Sequence, residues 1–170
     1  GVQTCALPIW DFLFSDSLYL SHYLFDTSTE FPDSIMLLRS RQQEFVDRCM
    51  VALADNNNTL GVAPTGAGKT IMLSAVIGEM HKQNPSLRAC VLAHRDELTA
   101  QNEEKFRWVN PAISTSIIDS YGKSWNGQVT FVMVQTLARE HNLKEMPPVD
   151  LLVVDEAHHV TAPSYKNILE

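Results

Sequence analysis

The chain has 170 residues, a formal net charge of −7 and 45% hydrophobic residues, which suits one globular domain with a full apolar core and excludes a disordered or fibrous chain. Its three cysteines, Cys5, Cys49 and Cys90, are odd in number and show neither CxxC nor Cys/His metal spacing, so no disulfide framework or zinc site is expected and a reducing cytoplasm is the default compartment. No apolar run reaches the roughly 18 residues that span a bilayer, and no basic flank opens a secretory signal.

The acidity is uneven. Residues 1–35 hold five acids (Asp11, Asp16, Asp26, Glu30, Asp33) and no Lys or Arg, whereas the rest carries fifteen acids against all thirteen bases. A phosphate-rich partner, which the net charge disfavours, is therefore open to the remainder. Residues 1–9, GVQTCALPI, resemble a translated sequencing-library adapter and are set aside from fold reasoning. Residues 10–35 lack sustained periodicity and are expected to be translated upstream sequence, the alternative being a genuine apolar extension packed on the domain. Met36 offers a natural start.

Residues 37–54 place Leu37, Leu38, Phe45, Val46, Cys49, Met50 and Leu53 on a helical stripe opposite Arg41, Glu44, Asp47 and Arg48. The cluster Asp55-Asn56-Asn57-Asn58 stops it. A short apolar strand is expected over residues 59–63, a glycine-rich turn after it, and a helix over residues 70–81. Further on, residues 89–93 predict a buried strand, 96–108 a helix, 116–118 and 129–134 strands, 142–148 a polar loop, and 151–154 an apolar strand ending in acid. Strands alternating with helices predict an α/β fold, a mostly parallel sheet with helices on both faces, whose ligands gather at the carboxyl ends of the strands.

Two motifs carry chemistry. Ala63-Pro64-Thr65-Gly66-Ala67-Gly68-Lys69-Thr70 fits the phosphate loop (Walker A) pattern GxxxxGK[ST] with Ala in place of the first Gly. Gly66 and Gly68 let the backbone curl so that N–H groups converge on phosphate oxygens at a helix N-terminus. Pro64 cannot donate, which leaves Gly66 to Thr70 as donors. Lys69 is placed to reach the β- and γ-phosphates, and the Thr70 hydroxyl to bind Mg²⁺. In Asp155-Glu156-Ala157-His158, the DEAH box, adjacent carboxylates close a buried strand, a costly arrangement unless a cation or proton chemistry uses it. Asp155 suits Mg²⁺, Glu156 suits activation of an attacking water, and His158 suits coupling to the rest of the molecule. The pair His158-His159 also admits a zinc reading, but neighbouring residues rarely face one centre and no further His or Cys lies nearby in sequence.

With both motifs in hand, the chain resembles the first RecA-like domain of superfamily 2 helicases, in the branch shared by type III restriction subunits and related bacterial DEAD/DEAH-box helicases. The resemblance spans about residues 36–170. It implies ATP and Mg²⁺ as cofactors, nucleic acid as partner with DNA ahead of RNA, and a second RecA-like domain, beyond Glu170, that supplies an arginine finger worth about 10³ to 10⁵ in rate. Leu38-Arg39-Ser40-Arg41-Gln42 resembles the branch's LRxxQ element, which implies that Gln42, with Arg39 beside it, meets the adenine; Gln43 is the alternative register. The segment from Ala93 through His94, Arg95 and Asp96 to Gln101 resembles motif Ia. It departs from the RNA-helicase form PTRELAxQ by carrying His-Arg and an extra residue, which favours duplex DNA. Gln135-Thr136-Leu137-Ala138-Arg139 resembles the later backbone-gripping element, with the Thr136 hydroxyl its best donor and Arg139 alongside. Such contacts position a strand without reading bases. The resemblance leads to an ATP-dependent helicase or translocase, of which this piece alone turns ATP over poorly. The alternatives are a phosphate-loop ATPase that remodels proteins and a truncated module that only binds nucleotide.

Overall fold

A computed structural model describes residues 3–4, 38–157 and 161–169. The expected upstream segment, residues 10–35, and the histidines His158 and His159 lie outside them.

The first long helix, α1 (Ser40–Asp55), forms where Val46, Cys49 and Leu53 recur at spacings of three and four, and it buries that stripe. It opens with Gln42 folding back to accept the Arg39 N–H at 3.0 Å, which satisfies a backbone donor at the helix entrance. It ends at Asn56, whose backbone and side-chain N–H groups both reach the Ala52 carbonyl. After the glycine-rich turn comes α2 (Lys69–Gln83). Then follow β2 (Ala89–Ala93), α3 (Asp96–Val109), β3 (Thr115–Ile118), β4 (Val129–Met133), and the short helices α4 (Val134–Leu137) and α5 (Glu140–Lys144). The chain closes with β5 (Leu151–Val154) and α6 (Pro163–Leu169). A two-residue strand, β1 (Gln3–Thr4), comes from the leader.

The sheet order is β1-β5-β2-β4-β3 and every ladder is parallel. β2 lies at its centre with all five residues buried, as expected of a parallel strand covered on both faces. Period-two alternation divides the core. Ala89, Val91, Val129, Phe131, Leu151 and Val153 pack with Ile77 of α2 and Phe106 of α3. Cys90, Leu92, Val132 and Leu152 pack on the other face with Leu137 of α4 and Tyr165 of α6. Each fully buried Val, Leu or Ile contributes about 1.5–3 kcal/mol by leaving water. The tilted Phe106–Phe131 pair, centroids 5.5 Å apart, adds about 0.5–1.5 kcal/mol. Helices thus cover both faces of a parallel α/β sheet, as the alternation of elements predicted.

Two expectations fail. The run 59–63 is no strand: it makes no ladder, and although Thr59 is buried, Val62 is 78% exposed. An apolar run becomes a strand only where a neighbour takes its N–H and C=O groups. The flank of β5 facing away from β2 instead receives Gln3 and Thr4, opposite Leu151 and Leu152. The expected loop 142–148 also begins inside α5. There Asn142 is buried, its amide donating to the Thr136 carbonyl and its oxygen accepting from Lys123.

Among the described residues no helix is long and apolar enough to cross a membrane.

Candidate functional site

The glycine-rich turn enters α2 through two left-handed residues, Gly66 (φ 81°) and Gly68 (φ 82°). A side chain is excluded at Gly68 twice over, by that φ and because an added Cβ would lie 2.7 Å from Gln42 Nε2. The Ala67 N–H is taken by the Pro64 carbonyl at 3.2 Å, and those of Ile71 and Met72 by the Gly68 carbonyl. The backbone donors left for an anion are therefore Gly66, Gly68, Lys69 and Thr70. They stand at the N-terminus of a 15-residue helix with no acid in its first turn, where the helix dipole favours negative charge. Thr65 is exposed at the tip of the turn.

Gln42 faces this turn. Its Nε2 donates to the Ala67 carbonyl at 3.0 Å while its Oε1 accepts from Arg39. An amide has two N–H donors and two lone pairs, so one of each remains for a planar ligand edge. Gln43 points elsewhere, donating to Asp47 at 2.8 Å. Arg39 itself is exposed.

Across the cleft, β5 ends in the acidic turn. The Asp155 N–H donates to the Leu92 carbonyl at 3.0 Å, pinning the turn to the end of β2. Asp155 Oδ1 accepts the Glu156 N–H at 3.0 Å, and Oδ2 accepts from Asn102 Nδ2 at 2.9 Å. Glu156 has φ 56°, the only left-handed non-glycine residue among those described. That conformation costs about 1–3 kcal/mol, and it swings the exposed Glu156 out of the strand direction. Lys69, Asp155 and Glu156 together line a cleft of about 590 Å³ whose remaining walls include Leu60, Val62, Ala63 and Val153. Close behind, the hydroxyl of the fully buried Tyr165 has no hydrogen-bond partner among the described residues. Burial first, then the negative charges of Asp155 and Glu156, push its pKa above the usual tyrosine value.

Asn102 escaped the sequence reading. It is 3% exposed on the buried stripe Thr99, Asn102, Phe106 of α3. Its Oδ1 accepts from the Thr70 hydroxyl at 3.3 Å, while its Nδ2 serves Asp155. An amide among core-facing positions of an amphipathic helix was the available signal, because buried polar groups demand partners. Which partners these are depends on contacts 32 and 53 residues away.

The residues expected to touch nucleic acid follow the carboxyl ends of β2 and β4, neighbouring strands with Ala93 opposite Met133. His94 Nδ1 meets Gln135 Nε2 at 3.4 Å. Arg95, Gln101 and Arg139 are exposed, with Arg95 and Arg139 at the N-terminal boundaries of α3 and α5. Thr136, in α4, is 3% exposed. His158 lies outside the described residues. Cys49 and Cys90 are buried, and burial pushes the Cys90 thiol up to about 12.

Residues 35–170 match the family model of the "Type III restriction enzyme, res subunit". The chain is 30% identical over 147 residues to the "Putative ATP-dependent helicase IRC3" of Saccharomyces cerevisiae, covering 81% of this chain and 21% of that protein. It is 33% identical over 147 residues to the "Putative mitochondrial ATP-dependent helicase irc3" of Schizosaccharomyces pombe, covering 84% and 24%. The chain thus spans about a fifth to a quarter of these relatives. Its fold is similar to part of the nuclease-deletion mutant of the Type ISP restriction-modification enzyme LlaGI, solved in complex with a DNA substrate mimic, with TM-score 0.65 and 16% identity over 79% of this chain and 16% of that one.

Proposed function

The chain belongs to the family of the type III restriction enzyme res subunit, and from that premise we propose that it is the ATP-binding half of a helicase or translocase that moves on nucleic acid. The observation that carries this reading is the meeting of two distant segments in one cleft. Ala63 and Lys69, at the two ends of the glycine-rich turn, line the same cleft as Asp155 and Glu156 of the acidic turn.

In this reading the N–H groups of Gly66, Gly68, Lys69 and Thr70 cradle the phosphates. The Lys69 ammonium draws the terminal phosphates into place, and the free N–H and lone pair of Gln42 meet the adenine edge. The donor set suits Mg²⁺, a hard cation that takes oxygen ligands and keeps several waters. One carboxylate, Asp155, and one hydroxyl, Thr70, are joined through a single amide, which leaves room for phosphate oxygens. When bound, Mg²⁺ supplies charge neutralisation at the phosphates. Glu156 orients and deprotonates the attacking water, and its left-handed backbone turns the carboxylate away from the strand end. His158 relays the state of the site to the rest of the motor.

Arg95, Gln101, Arg139 and the His94–Gln135 pair form the strand-facing surface, with the Thr136 hydroxyl as a further donor to the nucleic-acid backbone. DNA is favoured by the His94-Arg95 departure from the RNA-helicase pattern, and the DNA substrate mimic held by the similarly folded Type ISP enzyme supports it. The buried thiols suit a reducing compartment, the cytoplasm in the simplest case.

Lys69→Ala should weaken ATP binding about tenfold or more, the worth of a lost charge-assisted contact. Glu156→Gln, in a full-length protein with a second motor domain, should abolish hydrolysis and spare binding; unchanged turnover would refute its role as base. ATPase activity stimulated by nucleic acid supports a motor. Stimulation by a protein partner alone would mean protein remodelling instead.

A further inference from the structure

We propose that Asn102 is a positioning residue that fixes the spacing of Thr70 and Asp155 for a divalent cation, an inference that rests on the nucleotide-site reading above. A fully core-facing position on α3 would favour an aliphatic side chain, and its stripe neighbour Phe106 is wholly buried. At 3% exposure, an amide is tolerated there only because both its ends are engaged. Those ends hold two side chains from different segments, one from the glycine-rich turn and one from the acidic turn.

The hydrogen-bond polarity favours cation binding. Thr70 donates its proton to Asn102 Oδ1, so the hydroxyl lone pairs stay open to a metal. Asn102 Nδ2 donates to Asp155 Oδ2, which fixes the orientation of the carboxylate and leaves its other lone pairs for a cation. One short planar group must offer an acceptor on one side and a donor on the other. Asp offers no donor at neutral pH and would face Asp155 with like charge. Ser and Ala cannot span both partners, and Gln is one methylene too long.

Outer-shell partners of metal ligands typically tune metal affinity about 10–100-fold. The test uses the 170-residue chain and a fluorescent ATP analogue, titrated with Mg²⁺ and, separately, bound in excess EDTA. Asn102→Ala should raise the Mg²⁺ concentration at half-saturation about tenfold and change Mg²⁺-free nucleotide binding by less than about twofold. Because this variant removes a buried amide, Asn102→Asp provides the second reading. It keeps the size but opposes two carboxylates, so its thermal midpoint should start lower and rise more steeply with added Mg²⁺ than that of the parent chain.

An unchanged half-saturation in Asn102→Ala would overturn the proposal, as would equal losses with and without Mg²⁺. So would a midpoint of Asn102→Asp that is lowered but indifferent to Mg²⁺, the mark of a purely structural asparagine. If the parent chain itself binds the analogue without regard to Mg²⁺, or not at all, the nucleotide-site reading falls first and this one with it. If the parent shows Mg²⁺-dependent binding and the variants do not differ from it, only the role of Asn102 falls.

Discussion

Two short apolar runs lead into the candidate nucleotide site, residues 59–63 before the glycine-rich turn and β5 before the acidic turn, and they have different fates. β5 is hydrogen-bonded to β2 in register, Leu151 opposite Ala89 and Val153 opposite Val91, with Leu151, Leu152 and Val153 buried. Residues 59–63 form no ladder and line the cleft from its other side. Composition separates the two runs in part, since Thr-Leu-Gly-Val-Ala holds a Gly and an Ala where Leu-Leu-Val-Val is wholly strand-forming. Access to a partner differs as well, because β5 lies beside the fully buried central strand while the flank of β5 beyond it is met by β1. Hydrophobic runs of four or five residues state a need for burial, and the ladder decides whether that need is met as a strand.

Proline should break the contrast most sharply. Alternation from the Leu151 and Asp155 N–H groups, which donate to Arg88 and Leu92 of the β2 segment, directs the Val153 N–H into the same ladder. Val153→Pro removes that donor from a central parallel pair and should cost more than about 3 kcal/mol, seen as loss of cooperative unfolding. Val62→Pro, in an exposed run without a ladder, should cost less than about 1 kcal/mol. Denaturant midpoints of equal size for the two would mean that residues 59–63 pair in solution.

Alanine gives a smaller form of the same comparison. Leu152→Ala opens a cavity in the core cluster that β5 shares with Tyr165 of α6 and should cost about 2–5 kcal/mol. Val62→Ala should stay within about 0.5 kcal/mol. An effect of opposite sign is expected at the end of β5. Glu156→Gly relieves the left-handed φ and should stabilise the chain by about 1 kcal/mol, while removing the carboxylate that the proposed hydrolysis needs. A thermal midpoint that rises with the loss of turnover in the complete motor would show strain kept for function; a midpoint that falls would place the stabilising contacts of Glu156 above its strain.

Much of the fold was legible. α1, α2 and α3 were readable from stripes at spacings of three and four, and β2 to β5 from apolar runs with turn residues between them. The short helices α4, α5 and α6 were not, because four to seven residues carry too little periodicity and are held by the core face they cover. At the site, the glycine-rich and acidic motifs could be read in place because their chemistry is local: successive N–H groups, a Lys, adjacent carboxylates. That Gln42 rather than Gln43 faces the glycine-rich turn needed the geometry, since neighbours on a helix point about 100° apart and Gln42 reaches Ala67 while Gln43 reaches Asp47.

The amino-acid sequence by itself determined the α/β alternation, the glycine-rich turn and the paired carboxylates, since each is written in residues close along the chain. Tertiary structure alone decided which apolar run became a strand and that Asn102 joins Thr70 to Asp155. Both outcomes are settled by hydrogen-bond partners that arrive from distant segments, and no local pattern names them.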